Sequence, residues 1–252
     1  KKGVTVLSRN LFLYNHNGKF ISKQNLDFDP IQVCNYKDGY LISKRINRKN
    51  GRLLFTDSTG KNPKILLKER SNFLNLENLK PVTSSGSDLL SYNDCVSDTI
   101  HRISGLSVTP AVVFNMKEYK TSKEILQLDT KDVNAQSVIS KSISSIIFSF
   151  YENHKYILSA HAVLSKGETL LLCMIKDKTA NKLEWIKYVN NEANNAIFLM
   201  AQLSGKDEVY TIAPPDALTK LPEYIMKLIK NKSTVKGLKE EDNHVILKMK
   251  LK

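Results

Sequence analysis

Leu11-Phe12-Leu13-Tyr14-Asn15-His16-Asn17-Gly18-Lys19-Phe20-Ile21 (LFLYNHNGKFI) places two short apolar runs on either side of a polar turn. The Asn17-Gly18 pair supplies the positive φ angles of a tight hairpin, so the stretch reads as two antiparallel strands. The same unit returns as Leu53-Leu54-Phe55-Thr56, Asp57-Ser58-Thr59-Gly60-Lys61 and Pro63-Lys64-Ile65-Leu66-Leu67, with Gly60 lying 42 positions after Gly18. A third version, Thr99 to Gly105 followed by Ala111 to Phe114, sets its glycine 45 positions further on. Between the hairpins lie further strand pairs, such as Ile31 to Asn35 and Tyr40 to Ser43 around Lys37-Asp38-Gly39. Four strands recurring every ~40–50 residues are the mark of a β-propeller blade. Blades cover one another, so their inner strands read as nearly continuous apolar runs.

The second half keeps this grammar. Ile143–Phe150 pairs with Tyr156–Leu164 around Glu152-Asn153-His154, Thr169–Lys176 with Lys182–Val189, and Phe198–Leu203 with Glu208–Ala213. Two stretches depart from it. Thr121-Ser122-Lys123-Glu124 has capping-box spacing ahead of Ile125 and Leu128, which predicts a short helix. From Pro214 to about Asn231, Leu218, Leu221, Ile225 and Leu228 step along one helical face, predicting an amphipathic helix laid on the β-structure. The expectation is one all-β propeller domain over residues 1–252, with that helical insertion at about 214–231.

Composition sets outer limits. Hydrophobic residues at 41% and charged residues at 25% are too apolar a mixture for disorder. No apolar run approaches the roughly 18–20 residues of a membrane span. The net charge of +13 comes from 38 basic residues, only six of them Arg, with the lysines spread along the whole chain. Dispersed Lys solubilises a surface, whereas nucleic-acid recognition favours clustered Arg, so no nucleic-acid partner is expected.

The stretches LFLYNHNGKFI, LLFTDSTGK (Leu53–Lys61), DTIHRI (Asp98–Ile103) followed by Val112–Phe114, and LKEEDNHVILKMKLK (Leu238–Lys252) carry a resemblance. Together they are similar to the six-bladed, TolB-like or NHL-like propeller lipoproteins of Bacteroidetes. The resemblance implies export to the periplasm or outer-membrane surface, and membrane association only through a lipid anchor outside this chain. With the two non-strand stretches set aside, about 194 residues remain, enough for four to five blades. Two expectations follow: one or more N-terminal blades of a six-bladed ring are missing here, which is the favoured reading, or the ring is smaller or open.

Candidate chemistry is sparse. His16, His101, His154, His161 and His244 form no metal-ligand spacing; His16 and His154 fall in predicted turns, the others within strands. Asp27-Phe28-Asp29 and Glu240-Glu241-Asp242-Asn243 lack a calcium loop. Cys34, Cys95 and Cys173 sit in or beside apolar strands as small hydrophobes, and Trp185 is expected in packing rather than as a sugar platform. No catalytic residue, cofactor or metal is assigned. The reading is a non-enzymatic envelope binding or scaffold module with a protein or glycan ligand on its face. Its competitor is a glycan-active hydrolase or lyase at the central channel, which would bring carboxylates or histidines from several blades together.

Overall fold

A computed structural model describes residues 3–7, 9–15, 17–26, 28–44, 52–68, 82–85, 89–93, 98–123, 137, 144–165, 168–188, 202–204, 208–213, 215–219, 230, 232–239 and 241–250. The chain forms two compact units, Lys1–Thr83 with Leu89–Ser144, and Ser84–Asp88 with Ser145–Lys252.

The first unit opens with β1 (Gly3–Leu7), β2 (Asn10–Tyr14) and β3 (Phe20–Asn25), an antiparallel meander in the order β1-β2-β3. Its second hairpin is the opening stretch of the sequence, closed by the polar turn expected there, but without the positive φ expected at Asn17. Among the described residues of this loop, Gly18 alone carries a positive φ (+76°), and Asn17 is not left-handed. Asn15 and Lys19 close the loop around the three residues 16–18: Gly18 N–H donates to the Asn15 carbonyl (3.0 Å) and Asn15 N–H to the Lys19 carbonyl (2.9 Å). The Asn15 side chain then accepts from the Asn17 and Lys19 amides at 3.0 and 2.9 Å. An Asx side chain that mimics a backbone turn leaves one left-handed residue to close the loop, and glycine takes it without steric cost.

β4 (Pro30–Tyr36), β5 (Gly39–Lys44), β6 (Leu53–Asp57) and β7 (Lys64–Leu67) form the second sheet, in sequence order. The turn after β6 reproduces the first one 42 residues on, with Asp57 in the place of Asn15 and Gly60 at φ +79°. Sheet two is covered on both faces. Tyr40, Ile42 and Leu54 join Leu11, Leu13, Leu26 and Phe28 of the first-sheet region. Leu41 and Leu53 join Val82, Tyr92 and Ile103 of the third sheet. This is why every residue of β5 is buried and why its apolar run is unbroken. Each such side chain contributes about 1.5–3 kcal/mol by leaving water.

The third sheet comprises β8 (Val82–Ser85), β9 (Leu89–Asn93), β10 (Thr99–Ser104) and β11 (Ser107–Val113). A polar clamp joins it to the second. Gln32 of β4 donates from Nε2 to the Val82 carbonyl at 2.9 Å and accepts the Val82 N–H on Oε1 at 2.7 Å. Hairpin tips also rest on the preceding sheet: a Cβ at Gly60 would lie 2.7 Å from Leu11 Cδ2, and one at Gly105 3.4 Å from Lys37 Nζ.

The second unit holds β12 (Ser144–Glu152), β13 (Tyr156–Ser165), β14 (Glu168–Asp177) and β15 (Lys182–Tyr188) in a four-stranded sheet, and β16 (Gln202–Ser204), β17 (Glu208–Ala213) and β18 (Val245–Lys250) in a three-stranded one. The pairings from β13 to β15 and from β16 to β18 are antiparallel between chain neighbours. Helix is scarce among the described residues: a 3-10 turn at Lys117–Tyr119, α1 (Pro215–Thr219) and α2 (Lys232–Lys236). Of the amphipathic face expected over 214–231, Leu218 is fully buried, while Leu221, Ile225 and Leu228 lie outside the described residues. The helix expected from Thr121 also runs outside them after Lys123.

Candidate functional site

Among the described residues, the polar cluster nearest in composition to a catalytic site belongs to the four-stranded sheet of the second unit. Antiparallel register places Ser159 opposite Met174 and Met174 opposite Trp185, so these three share one sheet face. His161, two residues after Ser159, projects to the same side. Its Nε2 shares a hydrogen bond with Ser159 Oγ at 2.8 Å, and its ring lies 5.7 Å from that of Trp185 at a tilt of 50°. A serine beside a histidine has the composition of an activated nucleophile, but its surroundings differ. His161 is 0% exposed and Ser159 4%, so no substrate carbonyl reaches the hydroxyl. Burial holds His161 neutral, its pKa pulled down to about 4. The pair ties one strand together beneath an aromatic lid.

At the turn end of the same sheet, the buried carboxylate of Glu152 closes β12 and receives Lys178 Nζ at 3.1 Å. Asp177 Oδ1 accepts Thr179 N–H, Thr179 Oγ1 and Ala180 N–H at 2.8, 2.6 and 2.9 Å. Asp57 repeats the arrangement with Thr59 N–H and Oγ1 at 2.9 and 2.5 Å. The Thr59 hydroxyl leads the causes that bring Asp57 down to about 2, and the Thr179 hydroxyl leads those that lower Asp177. Both carboxylates brace their own hairpins.

The other sequence candidates are dispersed. His101 is buried in β10, His154 is exposed in the turn before β13, and His244 is exposed ahead of β18 rather than within a strand, because that strand begins at Val245. Asp29 accepts the Arg9 guanidinium at 2.8 and 3.3 Å. Glu241, Asp242 and Asn243 are exposed, and Asp242 accepts the Lys239 N–H at 2.8 Å. Cys34 and Cys173 are free thiols that burial pushes up to about 11 and 12. His16, Asp27, Cys95 and Glu240 lie outside the described residues. Among the described residues, no three His, Cys, Asp or Glu side chains gather as metal ligands. Trp185 departs from expectation: it touches His161 but is 43% exposed, because its strand is the outermost of the sheet. Sequence identifies a strand, and its rank within the sheet emerges only from the pairing.

Repeated antiparallel meanders, matched hairpin turns and a sheet covered on both faces are the local anatomy of propeller blades. Residues 2–212 match the DUF5128 family, described as a 6-bladed beta-propeller. The chain belongs to that family. Among solved structures, it is similar to a Bacteroides fragilis protein described as exported, at 13% identity and a TM-score of 0.65, covering 100% of this chain and 74% of that one. A member of the DUF4221 family from Bacteroides vulgatus is similar at 8% identity and a TM-score of 0.50, covering 85% and 70% of the two chains. Likeness at these identities shows the propeller fold alone. No curated protein matches. No helix among the described residues is long and apolar enough to cross a membrane.

Proposed function

We propose that this propeller is a non-enzymatic binding or scaffold module of the bacterial cell envelope. It is of the TolB-like or NHL-like kind found in Bacteroidetes, exported to the periplasm or outer-membrane surface and held there by a lipid anchor outside this sequence. Residues 1–252 form one domain of this six-bladed propeller kind, with a helical insertion at about 214–231. Its protein or glycan ligand binds on the propeller face, and nucleic acid is not a partner.

The observation that carries this reading is how side chains are used. Ser159 and His161 bond to each other in the interior, while Asp57 and Asp177 close their own turns. Large apolar side chains stand outward instead on the last strands of successive sheets: Phe20 and Ile21, Ile65, Val113, Leu183 and Trp185, and Ile246. Rigid sheets presenting apolar groups suit recognition of a partner.

Fractionation of a Bacteroides strain expressing the full-length protein tests the reading. Recovery in the envelope fraction, with radiolabelled palmitate incorporated, is the expected result. Cytosolic recovery overturns the compartment. Turnover of a glycan panel that is lost in His101→Ala overturns the non-enzymatic assignment.

A further inference from the structure

We propose that Asn17 is a site of spontaneous covalent modification. The Gly18 amide nitrogen displaces ammonia from the Asn17 side chain, giving a succinimide that water opens to aspartate or isoaspartate. Two turns of the first unit share one hydrogen-bonded backbone, and they treat the residue before the glycine differently. In the turn after β6, Thr59 Oγ1 bonds to Asp57 Oδ1, and a Cβ at Gly60 would meet Leu11 Cδ2 at 2.7 Å. In the turn after β2, Asn17 stands in the place of Thr59. It is exposed, and its side-chain amide makes no hydrogen bond among the described residues. A Cβ at Gly18 would meet nothing within 4 Å, so neighbouring groups do not block the approach of nitrogen to carbonyl. Asn15, two residues earlier, is engaged: its Oδ1 accepts the Asn17 and Lys19 amides at 3.0 and 2.9 Å. Every other described asparagine is followed by a residue that carries a side chain, which crowds the attacking nitrogen as glycine does not. Asn50-Gly51 lies outside the described residues.

Water is the only co-reactant. Gly18 N loses its proton to hydroxide and bonds to Asn17 Cγ. The Cγ–Nδ2 bond then breaks, and the amide takes a proton from water and leaves as ammonia. Water next adds to the succinimide ring. Breaking the new bond gives aspartate, whereas breaking the original peptide bond gives isoaspartate, with the main chain rerouted through Cγ. The sum is one water consumed and one ammonia released. The closed loop governs the pace. Gly18 N–H donates to the Asn15 carbonyl at 3.0 Å, so that bond must open before the nitrogen reacts. Isoaspartate also inserts a carbon into the main chain between the Asn17 and Lys19 amides, and Asn15 Oδ1 then loses its grip on both together. The product loosens the turn that leads into the exposed Phe20 and Ile21 of β3.

The full chain, folded by circular dichroism, is aged at mildly acidic and mildly alkaline pH and digested briefly with trypsin. Arg9 and Lys19 bound the peptide Asn10–Lys19, so mass spectrometry with electron-transfer fragmentation reads Asn17 apart from Asn50. Asn17 should gain the mass of an amide turned acid several-fold faster than the exposed Asn181 and Asn243, and faster at the alkaline pH. Isoaspartate should be among its products. Gly18→Ala should slow the reaction several-fold, although strain at that positive φ favours opening of the turn. Asn15→Ala, which removes both side-chain bonds, should speed it about tenfold. The isoaspartyl species, separated by chromatography, should lose hydrogen-exchange protection at the Lys19 amide. An Asn17 that reacts no faster than Asn181 and Asn243 overturns the proposal. So does reaction only in urea, or an unchanged rate in Gly18→Ala. An unchanged rate in Asn15→Ala overturns control by the closed loop, and retained Lys19 protection overturns the loosening of the turn.

Discussion

Gln32→Leu removes the clamp between the second and third sheets while keeping the volume at that position. In the wild type, the Gln32 amide satisfies both backbone groups of Val82, a residue only 5% exposed, at 2.9 and 2.7 Å. Each lost hydrogen bond costs about 0.5–1.5 kcal/mol net, and a backbone group left buried without a partner costs about 1–3 kcal/mol. Two groups are orphaned together, so the variant should be less stable by about 2–4 kcal/mol. Urea unfolding reads this as a fall in midpoint of about 1 M for a slope of about 3 kcal/mol/M, provided probes of both units move together. Hydrogen exchange gives a local check: the Val82 amide should lose protection before those of Leu41 and Ile42, which lie in the doubly covered strand. A destabilisation under about 0.5 kcal/mol, with Val82 still protected, would refute the account and mean that water replaces the amide without loss.

Gly18 and Gly60 share a left-handed backbone but not their surroundings, so Gly18→Ala should cost about 1 kcal/mol by φ strain, and Gly60→Ala measurably more because its Cβ meets Leu11; equal midpoints would deny that contact. Asp57, lowered to about 2 chiefly by the Thr59 hydroxyl, stabilises the fold above its unfolded pKa near 3.8 and loses that contribution as pH falls through 2; Asp57→Asn should flatten the acid limb of a stability–pH curve. His161 has its pKa depressed by burial to about 4, so the unfolded chain takes up its proton first, and stability should fall by up to about 3 kcal/mol between pH 6.5 and pH 4. His161→Gln should remove that slope, seen as urea midpoints at pH 7.5 and 5 that lie closer together than in the wild type.

Local chemistry explains which features are legible in the sequence. Strand pairs such as β6–β7 and β10–β11 are written in contiguous apolar runs broken by Gly60 and Gly105, and a hairpin needs little beyond its own residues. The repeat of 42 residues between two such turns implies stacked sheets. What depends on distant partners is not legible. Gln32 and Val82 are 50 positions apart, and nothing in either neighbourhood marks a side-chain amide aimed at another strand's backbone. The positive φ expected at both Asn17 and Gly18 is found only at Gly18, because the role of Asn15 as acceptor of two amides depends on the geometry of the closed loop. His161 and Trp185 do lie in strands, as their neighbours imply, yet the burial of one and the exposure of the other follow from strand rank.

Neighbour-to-neighbour pairing also bears on how the chain is made. Every described sheet but the last, which takes β18 from further along, is drawn from one continuous stretch, so each can close soon after its last strand leaves the ribosome. Translation thus delivers a finished greasy wall that waits for the next module to arrive, and the interval between modules is when a nascent chain would most need a chaperone.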